Sequence, residues 1–131
     1  MRRRLFLAVS VSSFLLGGCL RDDADKFVGF WGLPKDVDIL EIKRVDDKNF
    51  EFSYAYLLRN LGWRVRTGSL KYDGNGGLIY HADFGVHRLI VTSDGRLVGP
   101  PAGTMIRLST EEVDRRRKLR QTHPDAGRLK F

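Results

Sequence analysis

The chain is predicted to be all-β: a small antiparallel meander barrel or sandwich of about six to eight strands with a C-terminal helix. Three observations predict it. Between Phe27 and Leu108, short runs of alternating apolar and polar residues recur, separated by Asp/Asn/Gly turn clusters. One run, Phe50-Glu51-Phe52-Ser53-Tyr54-Ala55-Tyr56, sets four aromatics on alternate positions, and hence on one face of a pleated strand. There is no internal repeat, heptad or low-complexity tract, so a single folding unit is expected.

In chain order, Leu40 and Ile42 alternate with Glu41 and Lys43, and Asp46-Asp47-Lys48-Asn49 supplies hairpin chemistry before the aromatic strand. Trp63, Val65 and Thr67 alternate with Arg64 and Arg66, which predicts one apolar and one basic face. Leu70 and Tyr72 take the opposite parity, so a bulge is expected at Gly68. Asp73-Gly74-Asn75-Gly76-Gly77 is the strongest turn. Leu78, Tyr80, Ala82 and Phe84 form another one-sided apolar row. Val86 to Thr92 is a strand turned by Ser93-Asp94-Gly95 into Arg96-Leu97-Val98, and Gly99-Pro100-Pro101-Ala102-Gly103 must break regular pairing. Thr104 to Leu108 returns as the last strand. Ser109-Thr110-Glu111-Glu112 fits a capping box that opens a helix to about Gln121, with only Val113 and Leu119 as aliphatic anchors.

The first residues differ in character. Arg2-Arg3-Arg4 precedes an apolar stretch, Leu5 to Leu16, that is too short for a span of about 20 residues and is interrupted by serines. With Leu16-Gly17-Gly18-Cys19 it makes a secretory signal, and these four residues resemble the lipobox of bacterial lipoproteins. The resemblance implies cleavage before Cys19, diacylglycerol on its sulfur and an acylated amino terminus. Two or three chains suffice for stable anchoring. Leu20, in place of an Asp, points under the sorting rule of the enterobacterial family to the inner leaflet of the outer membrane. The expected organisation is a signal peptide over 1–18, a lipidated polar tether over 19–26, a β domain over 27–108, a basic helix over 109–122 and a flexible tail over 123–131.

Removing residues 1–18 leaves 113 residues and takes the formal charge from +7 to +4. Cys19 is the sole cysteine and is expected to be acylated, so an internal disulfide, a catalytic thiol and a cysteine zinc site are not expected. No nucleophile elbow, zinc-protease helix or phosphate loop is present, and no carboxylate sits in an apolar context that marks a general acid. Catalysis and cofactors other than the covalent lipid are not expected, and nucleic acid is not an expected partner of an exported chain.

Gly29-Phe30-Trp31 resembles the G-x-W of lipocalins and related calycin barrels. That resemblance implies a closed barrel with Trp31 packed across its base, and either an apolar pocket or an inhibitory segment. His81, Asp83 and His87 share a parity that would suit a metal only on an uninterrupted hairpin, so an exposed polar face is preferred and no metal site is expected. Asp73, Asn75 and Gly77 resemble the opening of a calcium loop that lacks its bidentate acid, hence a plain turn.

The densest charge, Arg115, Arg116, Arg117, Lys118 and Arg120, is a candidate surface for an anionic envelope component or envelope protein. Phe50, Phe52, Tyr54, Tyr56, Leu78 and Tyr80 are the candidate ligand wall. The leading expectation is a non-enzymatic envelope lipoprotein that binds through its surface. A calycin-like carrier of a small apolar ligand and a periplasmic inhibitor of a protease or lysozyme are the alternatives. A filled interior would favour the first, and an apolar cavity of a few hundred Å³ the carrier.

Overall fold

The computed structural model describes residues 23–58, 61–99 and 103–122. The expected signal peptide, Cys19, the first residues of the expected tether and the expected tail over 123–131 lie outside the described residues. The strands are β1 (Gly29–Gly32), β2 (Ile39–Arg44), β3 (Asn49–Leu58), β4 (Gly62–Tyr72), β5 (Gly77–Ala82), β6 (Gly85–Val91), β7 (Leu97–Gly99) and β8 (Gly103–Arg107), followed by helix α1 (Thr110–Thr122). Each strand pairs antiparallel with the next, and β8 returns to β1 through Trp31↔Arg107 and Gly32↔Ile106. The result is a closed eight-stranded meander barrel. Closure leaves no free sheet edge, which removes the usual route to edge-to-edge aggregation.

The meander sorts the connections onto two ends. Turns 45–48, 73–76 and 92–96 share one end, the base, with the start of β1. The 33–38 loop, the β5–β6 turn, the end of β3, the start of β4, the end of β7 and the start of β8 lie at the other end, the mouth. At the base, Asp46 Oδ1 accepts from the Lys48 and Asn49 amides at 3.0 and 2.9 Å. Asp73 Oδ1 accepts from the Asn75 and Gly77 amides at 2.7 and 3.0 Å. These are Asx turns, and Gly74 and Gly76 supply the positive φ of 76° and 81° that the second one needs. The Asp73 carboxylate is occupied in this way and by Arg88; the segment is the plain turn expected.

The base is packed solid. Asp23–Phe27 forms a short 3₁₀ helix whose Ala24 and Phe27 are fully buried beside Trp31, Phe50, Leu78 and Leu97. The tether therefore does not extend to residue 26 as expected. Its last residues close the barrel, because Ala24 and Phe27 gain burial that a free terminus forgoes. Trp31 is fully buried and donates from Nε1 to the Phe27 carbonyl at 2.9 Å. The Arg107 guanidinium lies 4.2 Å from its ring centroid and donates to the Val28 and Lys26 carbonyls at 2.9 and 2.6 Å. Arg107 thus ties the 3₁₀ helix to the strand that closes the barrel.

Two sequence expectations about strand faces are corrected. β4 has no bulge: its register with β3 runs unbroken from Asn49↔Lys71 to Leu58↔Gly62. Arg66, Gly68, Leu70 and Tyr72 share the inward parity, while Val65 is half exposed on the outside. The parity change marks a wall that passes from polar at the open mouth to apolar toward the base. Phe84 does not continue the β5 row; it sits with Asp83 in a two-residue hairpin and is 98% exposed.

Helix α1 packs outside the barrel through Val113, which joins Ile39, Leu108, Phe30 and Ile106 in a second cluster. Ser109 Oγ accepts from the Glu112 amide at 3.1 Å, one arm of the capping box. The other arm is replaced, since the Glu112 carboxylate turns to Arg115 and Arg116. Among the described residues no helix is long and apolar enough to cross a membrane.

Candidate functional site

The inward side chains above the base do not fill the barrel. Leu40 and Ile42 of β2, Phe52 and Tyr54 of β3, Leu70 of β4, Tyr80 of β5, Leu89 of β6 and Met105 of β8 surround a half-open cavity of about 280 Å³, with Tyr56 and Arg66 at its mouth. Strand alternation places each of them: β2, β3 and β4 pair Leu40 with Tyr54 and Tyr54 with Arg66, so one inward row crosses three strands. The volume lies near the lower end of small-molecule sites, about 300–1,000 Å³.

Rigid aromatic contacts shape the wall. Phe52 meets Tyr80 edge-to-face with centroids 5.3 Å apart, and Tyr54 stacks on Tyr56 at 5.1 Å. Gly68 makes the Phe52 placement possible, because a Cβ there would lie 2.6 Å from its Cε1. The Tyr80 ring is also stacked on His87, at 6.3 Å.

Of the six residues expected as a ligand wall, Phe52, Tyr54, Tyr56 and Tyr80 line the cavity. Phe50 and Leu78 do not; they face inward but are buried in the packed base. Arg66 and Leu70 were missed because the expected bulge at Gly68 split their row, and Leu40, Ile42, Leu89 and Met105 were missed as wall residues too. Alternation within β2, β6 and β8 marks them as one-faced, but only closure shows that those faces look into the same space.

Tyr54 connects the cavity to the exterior helix. Its hydroxyl donates to Asp38 Oδ2 at 2.8 Å, while Asp38 Oδ1 accepts from the Leu33 amide at 3.0 Å and from Arg116 Nη1 at 3.2 Å. Arg116 also donates to the Asp38 and Leu33 carbonyls at 2.7 and 3.0 Å, and to Glu112 at 2.8 Å. Asp38 and Arg116 are both buried, and the ion is stabilised by partners on nearly every polar atom. Burial pushes the Asp38 carboxyl above its ordinary value, and the hydrogen bonds from Tyr54 and Leu33 pull part of that back. Burial, then the adjoining Asp38, drives the Tyr54 phenol upward, so its proton stays in the bond.

The basic cluster does not form one free face. Arg116 is 1% exposed and therefore drops out of any partner-binding face. Arg115 pairs with Glu112 at 2.6 Å, Arg117 lies 5.2 Å from the Phe30 ring centroid and Arg120 5.9 Å from that of Trp63. The Arg116, Arg117 and Arg120 contacts dock α1 on the barrel, while the Arg115–Glu112 pair lies within the helix, so its scarcity of aliphatic anchors is offset by guanidinium packing. Lys118 stays exposed. His81 and His87 fall on opposite faces of the β5–β6 hairpin, and among the described residues no group of three His, Cys, Asp or Glu comes together.

No protein-family model, curated protein or solved structure matches the chain. The cavity's chemistry is therefore read from its own lining.

Proposed function

We propose that this chain is a lipid-anchored envelope protein whose barrel takes up a small apolar molecule, or the apolar end of a larger one, through its mouth. The observation that carries the reading is the half-open cavity of about 280 Å³, walled by aliphatic and aromatic side chains above a solid base. Space left beside apolar side chains forfeits dispersion contacts that a filled core would keep. An apolar guest restores those contacts and removes the wall from water. The wall is preformed by ring–ring contacts, so little ordering opposes binding. Presentation of the basic helix to a partner has less support, because Arg116 is buried and Arg117 and Arg120 pack on Phe30 and Trp63 of the barrel.

The anchor part of the proposal rests on Leu16-Gly17-Gly18-Cys19. Cys19→Ser should move the protein from the membrane to the soluble envelope fraction; retention with membranes rules the anchor out. The binding part is tested on the unlipidated Cys19→Ser chain with the neutral fluorophore N-phenyl-1-naphthylamine. Its emission should rise and shift to the blue on addition of protein. Leu89→Phe combined with Met105→Phe, which narrows the cavity, should abolish that response while thermal unfolding stays cooperative. Equal emission from both proteins places the probe elsewhere and sinks the carrier reading.

A further inference from the structure

We infer that the guest is a single-chain amphiphile with an anionic head, its tail in the apolar part of the cavity and its head on Arg66 at the mouth; this rests on the cavity being a ligand site. The ten residues that line the cavity include one cation, Arg66, and no carboxylate. Arg66 is exposed, and among the described residues it makes no ion pair or hydrogen bond. Other guanidiniums are occupied: Arg88 by Asp73, Arg96 by Asp94, Arg115 and Arg116 by Glu112, Arg107 by two carbonyls.

Asp38, the acid hydrogen-bonded to the wall residue Tyr54, is neutralised by Arg116 and capped by the Tyr54 hydroxyl, so it does not answer Arg66. Arg64, one inward position nearer the rim, adds a second positive charge and no negative one. Asp36 of the 33–38 loop and Asp83 of the β5–β6 turn also lie at this end, but neither pairs with Arg66, so the lining itself sets one unpaired positive charge above an apolar pocket. A neutral hydrocarbon would leave that charge unused, and a cationic head would be repelled. A carboxylate or phosphate can take two parallel hydrogen bonds from the guanidinium fork. The size of the cavity suits one chain rather than two.

Displacement of N-phenyl-1-naphthylamine from the Cys19→Ser chain tests this, with dodecanoate, 1-lauroyl lysophosphatidate and dodecanol as competitors below their micellar concentrations. Dodecanoate, lysophosphatidate or both should displace the probe at about tenfold lower concentration than dodecanol, the size expected of one charge-assisted pair at a partly wet site. Preference for one of the two anions identifies the head as carboxylate or phosphate. Arg66→Gln should erase the gap by weakening the anions alone, and Arg66→Lys should restore part of it. The melting temperature should be unchanged in both variants, since Arg66 is exposed and makes no ion pair or hydrogen bond among the described residues. Dodecanol competing as well as the anions, or a gap that survives Arg66→Gln, overturns the inference and leaves the carrier reading standing. If the probe binds but neither chain displaces it, the inference falls; if the probe does not bind in the cavity, both fall.

Discussion

Arg116 and Tyr54 grip the same carboxylate from opposite sides of the barrel wall: Asp38 accepts from Arg116 Nη1 at 3.2 Å through Oδ1 and from the Tyr54 hydroxyl at 2.8 Å through Oδ2. An exterior helix is thereby coupled to a side chain of the cavity. Removing either ion of a buried pair strands the other. Asp38→Ala and Arg116→Ala should each cost about 3 kcal/mol, at the low end of the usual 3–5 because backbone carbonyls still serve Arg116. The double variant should cost clearly less than the sum of the two. Chemical denaturation of the four proteins measures this, and strict additivity would refute the coupling.

Gly68 faces the Phe52 ring, with only 2.6 Å from the position of a Cβ to Phe52 Cε1. Gly68→Ala must push that ring into the cavity. A stability loss of about 1–2 kcal/mol is expected, accompanied by weaker probe binding. Full affinity in Gly68→Ala would mean that the ring has another place to go.

Arg107 joins the 3₁₀ helix to β8 and covers Trp31. Arg107→Ala should destabilise by about 2 kcal/mol and expose the Trp31 indole, read as red-shifted emission and faster amide exchange at Val28. Arg107→Lys cannot make both carbonyl bonds with the same fork and should recover only part.

Arg115, and after it Arg116, hold the Glu112 carboxyl down to about 2 from its ordinary 4.5. A depressed acid favours the folded state above its unfolded pKa, and that contribution is lost as pH falls from about 4.5 to 2. Asp38 is shifted the other way, so its titration opposes this loss. Melting temperature should fall with acidification across that window, and Glu112→Gln should flatten the fall. A slope unchanged in Glu112→Gln would assign the acid sensitivity to other carboxylates.

Phe84 is 98% exposed in its hairpin. Phe84→Ser should change stability by no more than about 0.5 kcal/mol, whereas the same change at Phe52 or Phe50 should be severe. A large loss at Phe84 would mean that the β5 row extends through it.

Much of the architecture was legible from residue order. The aromatic row of β3, the Asx turns at Asp46 and Asp73, the start of α1 at Ser109 and the all-β class are local properties, written by alternation and by side chains that satisfy their own backbone within a few residues. The expected lipidation of Cys19 belongs to the same kind of local signal.

What alternation cannot state is which of two faces is inside, since that depends on pairing with strands distant in sequence. In β4 the face bearing Trp63 and Val65 is the more apolar at one end, yet the register with β3 turns Arg66, Gly68 and Leu70 inward. The same holds for the cluster Arg115, Arg116, Arg117, Lys118 and Arg120, which reads as one solvated face. Tertiary packing sinks Arg116 against Asp38, 78 residues away, because helix and loop together surround an ion that neither could bury alone. The cavity belongs wholly to the tertiary level: it is the space that eight inward rows leave unfilled once β8 closes on β1, a property of their sum and of no single row.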